Sequence, residues 1–292
     1  MNWQIEKVDT LEAVQLGDDL LEKTSTISNI LKSQKYEYLF AAKKEHQVIG
    51  IGVGWLNEFH PTAMYFRIYV SDQAQDGQKI ADALFQQIKL ATVQQDKWIW
   101  AGWESDESMR TFLIRNGFRL MRKTYMPTLQ ISDVQQYLIN AEQADNCISL
   151  KELLNNPAMK QSFFTLLKET YTATHQVNPV KHYSLKEWEN ILLNDEPDLE
   201  HSLICQENQR IEGYIMMHRV DSRHYEVGWL GVSDSTEPTL LRGLLKRQLE
   251  SLSEEGVETL ELELDTTDWH AMKLFNFLDF ENHKAWETYM FQ

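Results

Sequence analysis

Apolar and polar positions follow strand or helix spacing along nearly the whole chain. Gln4-Ile5-Glu6-Lys7-Val8 alternates with period two and predicts a first strand. Asp9 or Thr10 then caps a predicted helix carried by Leu11, Val14, Leu20, Leu21 and Ile27. Residues 36–43 and 48–56 predict two strands joined by the polar turn Lys44-Glu45-His46-Gln47, a hairpin. In the second of these strands Gly50, Gly52 and Gly54 fall on one face. Residues 63–70 predict a fourth strand. Residues 80–90 predict an amphipathic helix with Ile80, Leu84, Ile88 and Ala91 on one side. A strand at 98–103, a helix around Phe112 and a strand at 120–129 close this half.

Residues 132–144 are polar with a short helical pattern, and the boundary is expected there. The order then repeats. A helix runs through Phe163, Phe164, Leu167 and Tyr171, followed by a long loop to Trp188. Strands are predicted at 202–206 and 211–220, joined by Glu207-Asn208-Gln209, and at 225–232. A helix at 240–252 ends in Glu254-Glu255-Gly256. A strand at 259–264, a helix at 269–277 and a strand at 284–291 follow. Two segments carry the same worn pattern: Asp106 to Phe118, ending Asn116-Gly117-Phe118, and Asp268 to Phe280, ending Leu278-Asp279-Phe280. Such a repeat implies two copies of one fold. Antiparallel strands mixed with helices give a mixed α/β class rather than an alternating parallel sheet.

Length supports this division, since 292 residues suit two cores of comparable size. The 12 Gly and 6 Pro leave no room for long disordered linkers. No apolar run reaches membrane-spanning length, and the N-terminus lacks the basic-then-apolar pattern of a signal peptide. A cytoplasmic protein without membrane attachment is expected. The two cysteines, Cys147 and Cys205, allow a pairing, but free thiols are the more ordinary expectation. The net charge of −16 is unevenly spread. Residues 1–141 hold 15 Lys/Arg against 17 Asp/Glu, and residues 142–292 hold 13 against 27. That field disfavours nucleic acid and anionic membrane, and suits a cationic small partner.

The repeated order, with Gly228-Trp229-Leu230-Gly231-Val232 on the fourth strand of the second half and Arg115-Asn116-Gly117-Phe118 closing a helix of the first, resembles the GNAT acetyltransferase superfamily in tandem. The resemblance covers nearly the whole chain. It implies transfer of an acyl group, usually acetyl from acetyl-CoA, to an amine. It also implies a splayed gap beside the fourth strand for the pantetheine arm, and a glycine-rich loop, Arg/Gln-x-x-Gly-x-Gly/Ala, for the pyrophosphate. A helix N-terminus suits an anion because its first N–H groups lack partners and the dipole is positive there.

The chain departs from that loop in both halves. The first reads Asp76-Gly77-Gln78-Lys79-Ile80-Ala81. Asp76 replaces Arg or Gln, Lys79 replaces Gly, and Ala81 agrees. Asp76 is either a repulsive charge or an N-cap. The second reads Thr236-Glu237-Pro238-Thr239-Leu240-Leu241, without glycine and with its own capping residues. The resemblance therefore places acetyl-CoA in the first half, on Tyr69, Val70, Gly77, Gln78, Lys79, Ile80 and Ala81. The positions of the family's tyrosine acid hold Leu113 and Phe275, neither of which donates a proton.

For the general base the candidates are Glu104, after the fifth strand, and Glu226, on the fourth strand of the second half. Asp265 and Asp268 are read as capping residues rather than a metal pair, and no metal is expected. The nine histidines show no metal spacing. Trp98 and Trp100 share a strand face and serve either a core or an acceptor wall.

The expected architecture is thus α/β, mixed: tandem GNAT-type domains at 1–131 and 146–292, with 132–145 as linker, each a mostly antiparallel splayed sheet flanked by helices. The expected function is N-acetyl transfer from acetyl-CoA to a small or peptide amine. The rival is a GNAT-fold binding or regulatory module without turnover. Homodimerisation is compatible with the sequence.

Overall fold

Three glycines on one strand set the closest packing in the first half. Strand β3 (Gln47–Leu56) is covered by helix α3 (Gly77–Ala91). A Cβ at Gly50 would lie 3.0 Å from Ile80 Cγ2 and 3.2 Å from Leu84 Cδ1, and one at Gly52 would lie 3.3 Å from Ile88 and Leu84. The bare backbone lets the Ile80-Leu84-Ile88 stripe of α3 lie directly on the sheet. The computed structural model describes residues 3–10, 16–208, 210–234, 236–237 and 239–292. The expected helix positions Leu11 and Val14, the turn residue Gln209 and the helix-start residue Pro238 lie outside them.

The first half runs β1 (Gln4–Lys7), α1 (Asp18–Thr24), a 3-10 turn, α2 (Ser28–Lys32), β2 (Tyr38–Lys44), β3, β4 (Met64–Val70), α3, β5 (Trp98–Trp103), α4 (Glu107–Arg115), β6 (Arg119–Tyr125) and β7 (Thr128–Gln130). After α5 (Ile131–Tyr137) come β8 (Cys147–Ser149), α6 (Leu150–Leu154), α7 (Pro157–Thr174), α8 (Leu185–Asn194), β9 (Leu203–Glu207), β10 (Arg210–Arg219) and β11 (His224–Val232). The chain finishes with α9 (Thr239–Glu254), β12 (Thr259–Leu262), β13 (Leu264–Asp265), α10 (Trp269–Leu274), a 3-10 turn and β14 (Ala285–Phe291). The expected single strand at 120–129 is two strands, because Pro127 interrupts the ladder. The expected loop before Trp188 carries helix α8, fixed by a Ser184–Glu187 capping box.

The strands form an eight-stranded sheet, β1-β2-β3-β4-β5-β14-β6-β13, and a six-stranded sheet, β7-β12-β11-β10-β9-β8. The halves exchange strands. The last strand of the chain, β14, lies between β5 and β6 of the first sheet, and β7 pairs with β12 of the second. The 132–145 segment, expected as linker, carries most of α5, whose Ile131, Val134 and Leu138 are buried in the core under α9. No cut between 131 and 146 separates the two sheets.

A charged cluster locks β14 in place. Glu287, 1% exposed, lies 3.0 Å from Arg110 Nε and 3.2 Å from Lys123 Nζ, and accepts the Tyr289 hydroxyl at 2.9 Å. Elsewhere the halves meet through Phe59, which packs on Tyr171, Tyr183 and Trp188 at ring distances of 5.3–5.7 Å. Its carbonyl accepts the Lys181 N–H at 2.8 Å. Cys147 and Cys205, expected as free thiols, are bonded, because the β8–β9 register sets them directly opposite each other.

Candidate functional site

The fourth and fifth strands of the first half part early. β4 and β5 pair in parallel only at Met64–Trp98 and Tyr65–Ile99. On its other edge β4 follows β3 without a register shift from Met64 to Val70. Ser71 N–H donates to Ile49 on the β3 side, and Met64 N–H donates to Lys97 on the β5 side. Alternation along the strand then turns the N–H groups of Ile68 and Val70 into the gap. The gap opens into a cleft of about 630 Å³, lined by Tyr69, Val70, Gly77, Gln78 and Ala81, with Ser108 and Thr111 of α4 opposite.

Helix α3 points its N-terminus at this cleft. Asp76 stands at the N-cap position but makes no capping bond. Its carboxylate takes the Lys79 ammonium at 2.9 Å, and this hydrogen bond holds the carboxyl below its usual range. Ile80 N–H closes the first turn on Asp76 O, so the N–H groups of Gly77, Gln78 and Lys79 precede the ladder. A Cβ at Gly77 would meet only Val70 Cγ1, at 3.7 Å, so the backbone there is open to a ligand. Lys23 adds a cation beside the cleft, donating to Val70 O at 2.9 Å and pairing with Asp72. Among the expected cofactor residues, Tyr69, Val70, Gly77, Gln78 and Ala81 line the cleft. Ile80 is a core residue under Gly50, and Lys79 lies outside the lining.

The second half has a similar parting of strands but a carboxylate in the loop before its helix. β11 pairs with β12 only from His224 to Val227, leaving Gly228 to Val232 free of it. At the start of α9, however, Glu212 of β10 accepts hydrogen bonds from Ser233 Oγ, at 2.9 Å, and from Thr236. That carboxylate sets a negative charge in the loop before α9, which disfavours a phosphate there. These residues do not fit CoA. Leu113 and Phe275 are both fully buried, so neither α4 nor α10 offers a phenol. The cleft's own phenol is Tyr69, which burial keeps protonated and whose hydroxyl lies 2.7 Å from that of Thr26.

Between the halves lies a crevice made of two adjoining cavities of about 350 Å³ each. They share His60, Arg122, Thr174 and His175. The cavity against the first sheet is walled by Trp55, Tyr65 and Trp286 and holds Arg67 and Arg122, with no carboxylate in its lining. The cavity against the second sheet holds Asp195, Glu226, Glu263, Asp265 and Asp268, beside Tyr171 and Trp229. Asp265 is matched by Arg122 at 2.6 Å. The others crowd. Burial raises the carboxyls of Glu226 and Glu263, with neighbouring carboxylates adding to it, and pushes Asp268 up to about 6. Asp268 also caps α10, accepting His270 N–H at 3.0 Å and Ala271 N–H at 3.1 Å, as its place before a helix predicts. Among the described residues no group of three or more His, Cys, Asp or Glu is arranged to hold a metal.

The two sequence-nominated bases differ in setting. Glu226 faces the acidic cavity with a raised carboxyl, ready to hold a proton. Glu104 does not line the cleft. It accepts Ala285 N–H at 3.1 Å and Lys123 Nζ at 3.1 Å, which together hold its carboxyl below the usual range. It fastens β14 to its neighbours and is a poor proton acceptor.

Sequence reasoning missed His60 and His175, which stack at 5.1 Å on the seam. Burial lowers both, His175 to about 4, so both are neutral near pH 7. His60 Nδ1 donates to Asn178 O at 2.8 Å in its neutral tautomer. They lie 115 positions apart, in opposite halves, so no spacing in the sequence marks them. Of the tryptophans, Trp98 and Trp100 belong to the first core, and Trp55, Trp229 and Trp286 wall the crevice.

No family model matches the sequence, and no curated protein matches it. Solved structures do match in fold. A GCN5-related N-acetyltransferase from Sphaerobacter thermophilus superposes with a TM-score of 0.61 at 10% identity, covering 99% of this chain and 95% of that one. A tandem GNAT protein from the clavulanic acid biosynthesis pathway gives 0.54 at 12% identity, covering 99% and 98%. A GNAT-family acetyltransferase from Colwellia psychrerythraea gives 0.51 at 11%, covering 99% and 100%. This chain therefore has the GNAT acetyltransferase fold in its tandem form, two mixed α/β sheets flanked by helices.

Proposed function

We propose that the chain transfers an acyl group, acetyl in the simplest case, from acyl-CoA to an amine. CoA occupies the first-half cleft and the acceptor enters from the crevice between the halves. The observation that carries this reading is the uncapped start of α3 facing a strand gap with two inward amides. The pyrophosphate would rest on the N–H groups of Gly77, Gln78 and Lys79, with Lys23 nearby. The pantetheine arm would run along β4. The amine nitrogen attacks the thioester carbonyl, an inward N–H of Ile68 or Val70 steadies the oxyanion, and the carbon–sulfur bond breaks. The thiolate takes a proton from the Tyr69 phenol or from water. The proton lost by the amine passes through crevice water to Glu226.

Calorimetric titration with acetyl-CoA tests it. Gly77→Asp sets a carboxylate at the phosphate position and is expected to weaken binding at least about tenfold. Glu212→Gln, in the second half, is expected to change it less than about twofold. No binding at millimolar acetyl-CoA, or equal binding by wild type and Gly77→Asp, sinks the reading.

A second reading has its own support. Leu113 and Phe275 remove the fold's usual acid from both halves. A chain that binds acetyl-CoA without turning over is a ligand-binding module. Thiol release from a panel of amines separates the two, since only a transferase frees CoA in step with acceptor.

A further inference from the structure

The cavity against the first sheet contains a half-buried cation, Arg67, with no carboxylate within ion-pair distance among the described residues, Asp106 acting on it only from farther away. Arg67 projects from β4 across the parting of the strands, its guanidinium 5.2 Å from the Trp100 ring and 5.8 Å from the Trp286 ring. It donates to Phe66 O at 3.3 Å. A guanidinium has five N–H donors in a planar fork, and here most of that fork is unspent. Left so, a half-buried cation costs stability, and a carboxylate ligand repays it with two parallel charge-assisted bonds.

A second group points the same way. Thr288 of β14 lines this cavity, is 3% exposed, and its hydroxyl has no hydrogen-bond partner. It is one of several such atoms among the described residues, but it belongs to a residue that lines this cavity, where a ligand atom could match it. Thr288 stands opposite Ala101 of β5, which also lines the cavity. The floor thus presents a guanidinium and a free hydroxyl between aromatic walls, with no acid among them. An anion suits this floor and a second cation does not.

We propose that the acceptor is an amine bearing a carboxylate, an amino-acid-type molecule whose carboxylate rests on Arg67 and Thr288. This deepens the transferase reading and rests on it for the role of the ligand. Arg67 lies two residues before Tyr69 on the same strand face, roughly 7 Å along β4. A carboxylate on Arg67 leaves an amine on the same small molecule within reach of the inward amides. The guanidinium also disfavours the ammonium form of that amine, which must be neutral to attack.

Titration of the intact chain with L-lysine and L-ornithine, against cadaverine and putrescine, isolates the carboxylate. Each pair differs by that group alone. Tryptophan fluorescence reports it, since Trp100 and Trp286 flank the guanidinium. The amino acids are expected to bind at least about tenfold tighter than the diamines. Arg67→Met is expected to abolish that preference and raise the melting midpoint by a few degrees, because it removes an unneutralised half-buried charge. Thr288→Val is expected to reduce the preference in part. Equal binding of both classes, no binding of either at millimolar concentration, or a preference that survives Arg67→Met overturns the proposal. So does a lower midpoint in Arg67→Met without change in binding, which makes Arg67 structural. Acetyl-CoA titration is read separately. A chain that keeps the carboxylate preference but binds no acetyl-CoA retains this subsite and loses the transferase reading.

Discussion

At the residue scale, the clearest energetic conflict is at Asp268. Its carboxylate caps α10 through two backbone N–H groups, which favour the ion, yet burial outweighs them and Asp265 adds like charge. A carboxyl whose folded value, about 6, exceeds its unfolded value of 3.8 binds its proton more tightly in the native state. Stability from this group is therefore greatest below pH 4 and is lost as pH rises through 6. Asp268→Asn keeps an oxygen for the cap and removes the charge. It is expected to be about 1–2 kcal/mol more stable than wild type at pH 8, with the difference vanishing near pH 4. Urea denaturation at a series of pH values reads this, and an Asn variant that is less stable at pH 8 contradicts the account. Arg67 makes the complementary point. Both are half-buried charges that desolvation works against, and both line the crevice.

At the element scale, local signals were readable and long-range pairing was not. The strand at 98–103, a short apolar run buried on both faces along most of its length, and the amphipathic helix under the Gly50-Gly52-Gly54 face are where the sequence pattern puts them. Helices α6 and α8 were also announced, by Ser149-x-x-Glu152 and Ser184-x-x-Glu187, and went unread against a polar background. The strand exchange could not be read at all. The largely apolar run at 285–291 marks a strand buried on both faces, but nothing in it says which sheet supplies the neighbours. The site divides the same way. The α3 start is a contiguous motif, so the sequence can nominate it. The crevice is built by Arg67, His60, His175 and Thr288 from distant segments, and no contiguous motif marks it. The exchange has a consequence for dissection. Residues 1–145 lack β13 and β14, which leaves β6 unpaired and β5 joined only to β4, and residues 146–292 lack β7. Each fragment is expected to be aggregated or without a cooperative melt when expressed alone, and co-expression is expected to restore one. A sharp thermal transition in either isolated fragment contradicts this.

At the scale of the whole molecule, the seam between the halves, proposed above as the acceptor crevice, is also sensitive to acid. His60, in the β3–β4 loop, and His175, at the end of α7, stack there from opposite sides, against Tyr171. His175 donates Nδ1–H to Tyr171 O at 2.9 Å in its neutral tautomer, and burial holds its folded value at about 4 against 6.5 unfolded. His270, buried beside α9 with neither ring nitrogen hydrogen-bonded, is lowered likewise to about 4. A histidine with a depressed folded value stays neutral in the native state while the unfolded chain takes up a proton. Its stability is fully present above pH 6.5 and is lost as pH falls toward 4. The sign is opposite to that of Asp268, but the two histidines act together and His60 adds to them in the same direction. Each of the two contributes about 2–3 kcal/mol to the loss over that window. The melting midpoint is therefore expected to fall steadily between pH 6.5 and 4, although protonating the crowded carboxyls of Glu263 and Asp268 over the same range offsets part of it. His175→Asn cannot charge, so it is expected to remove roughly 2 kcal/mol of that acid dependence while Asp268→Asn steepens it. Calorimetric melts of the two variants across this range test both signs at once. A His175→Asn chain as acid-sensitive as wild type places the loss somewhere other than the seam.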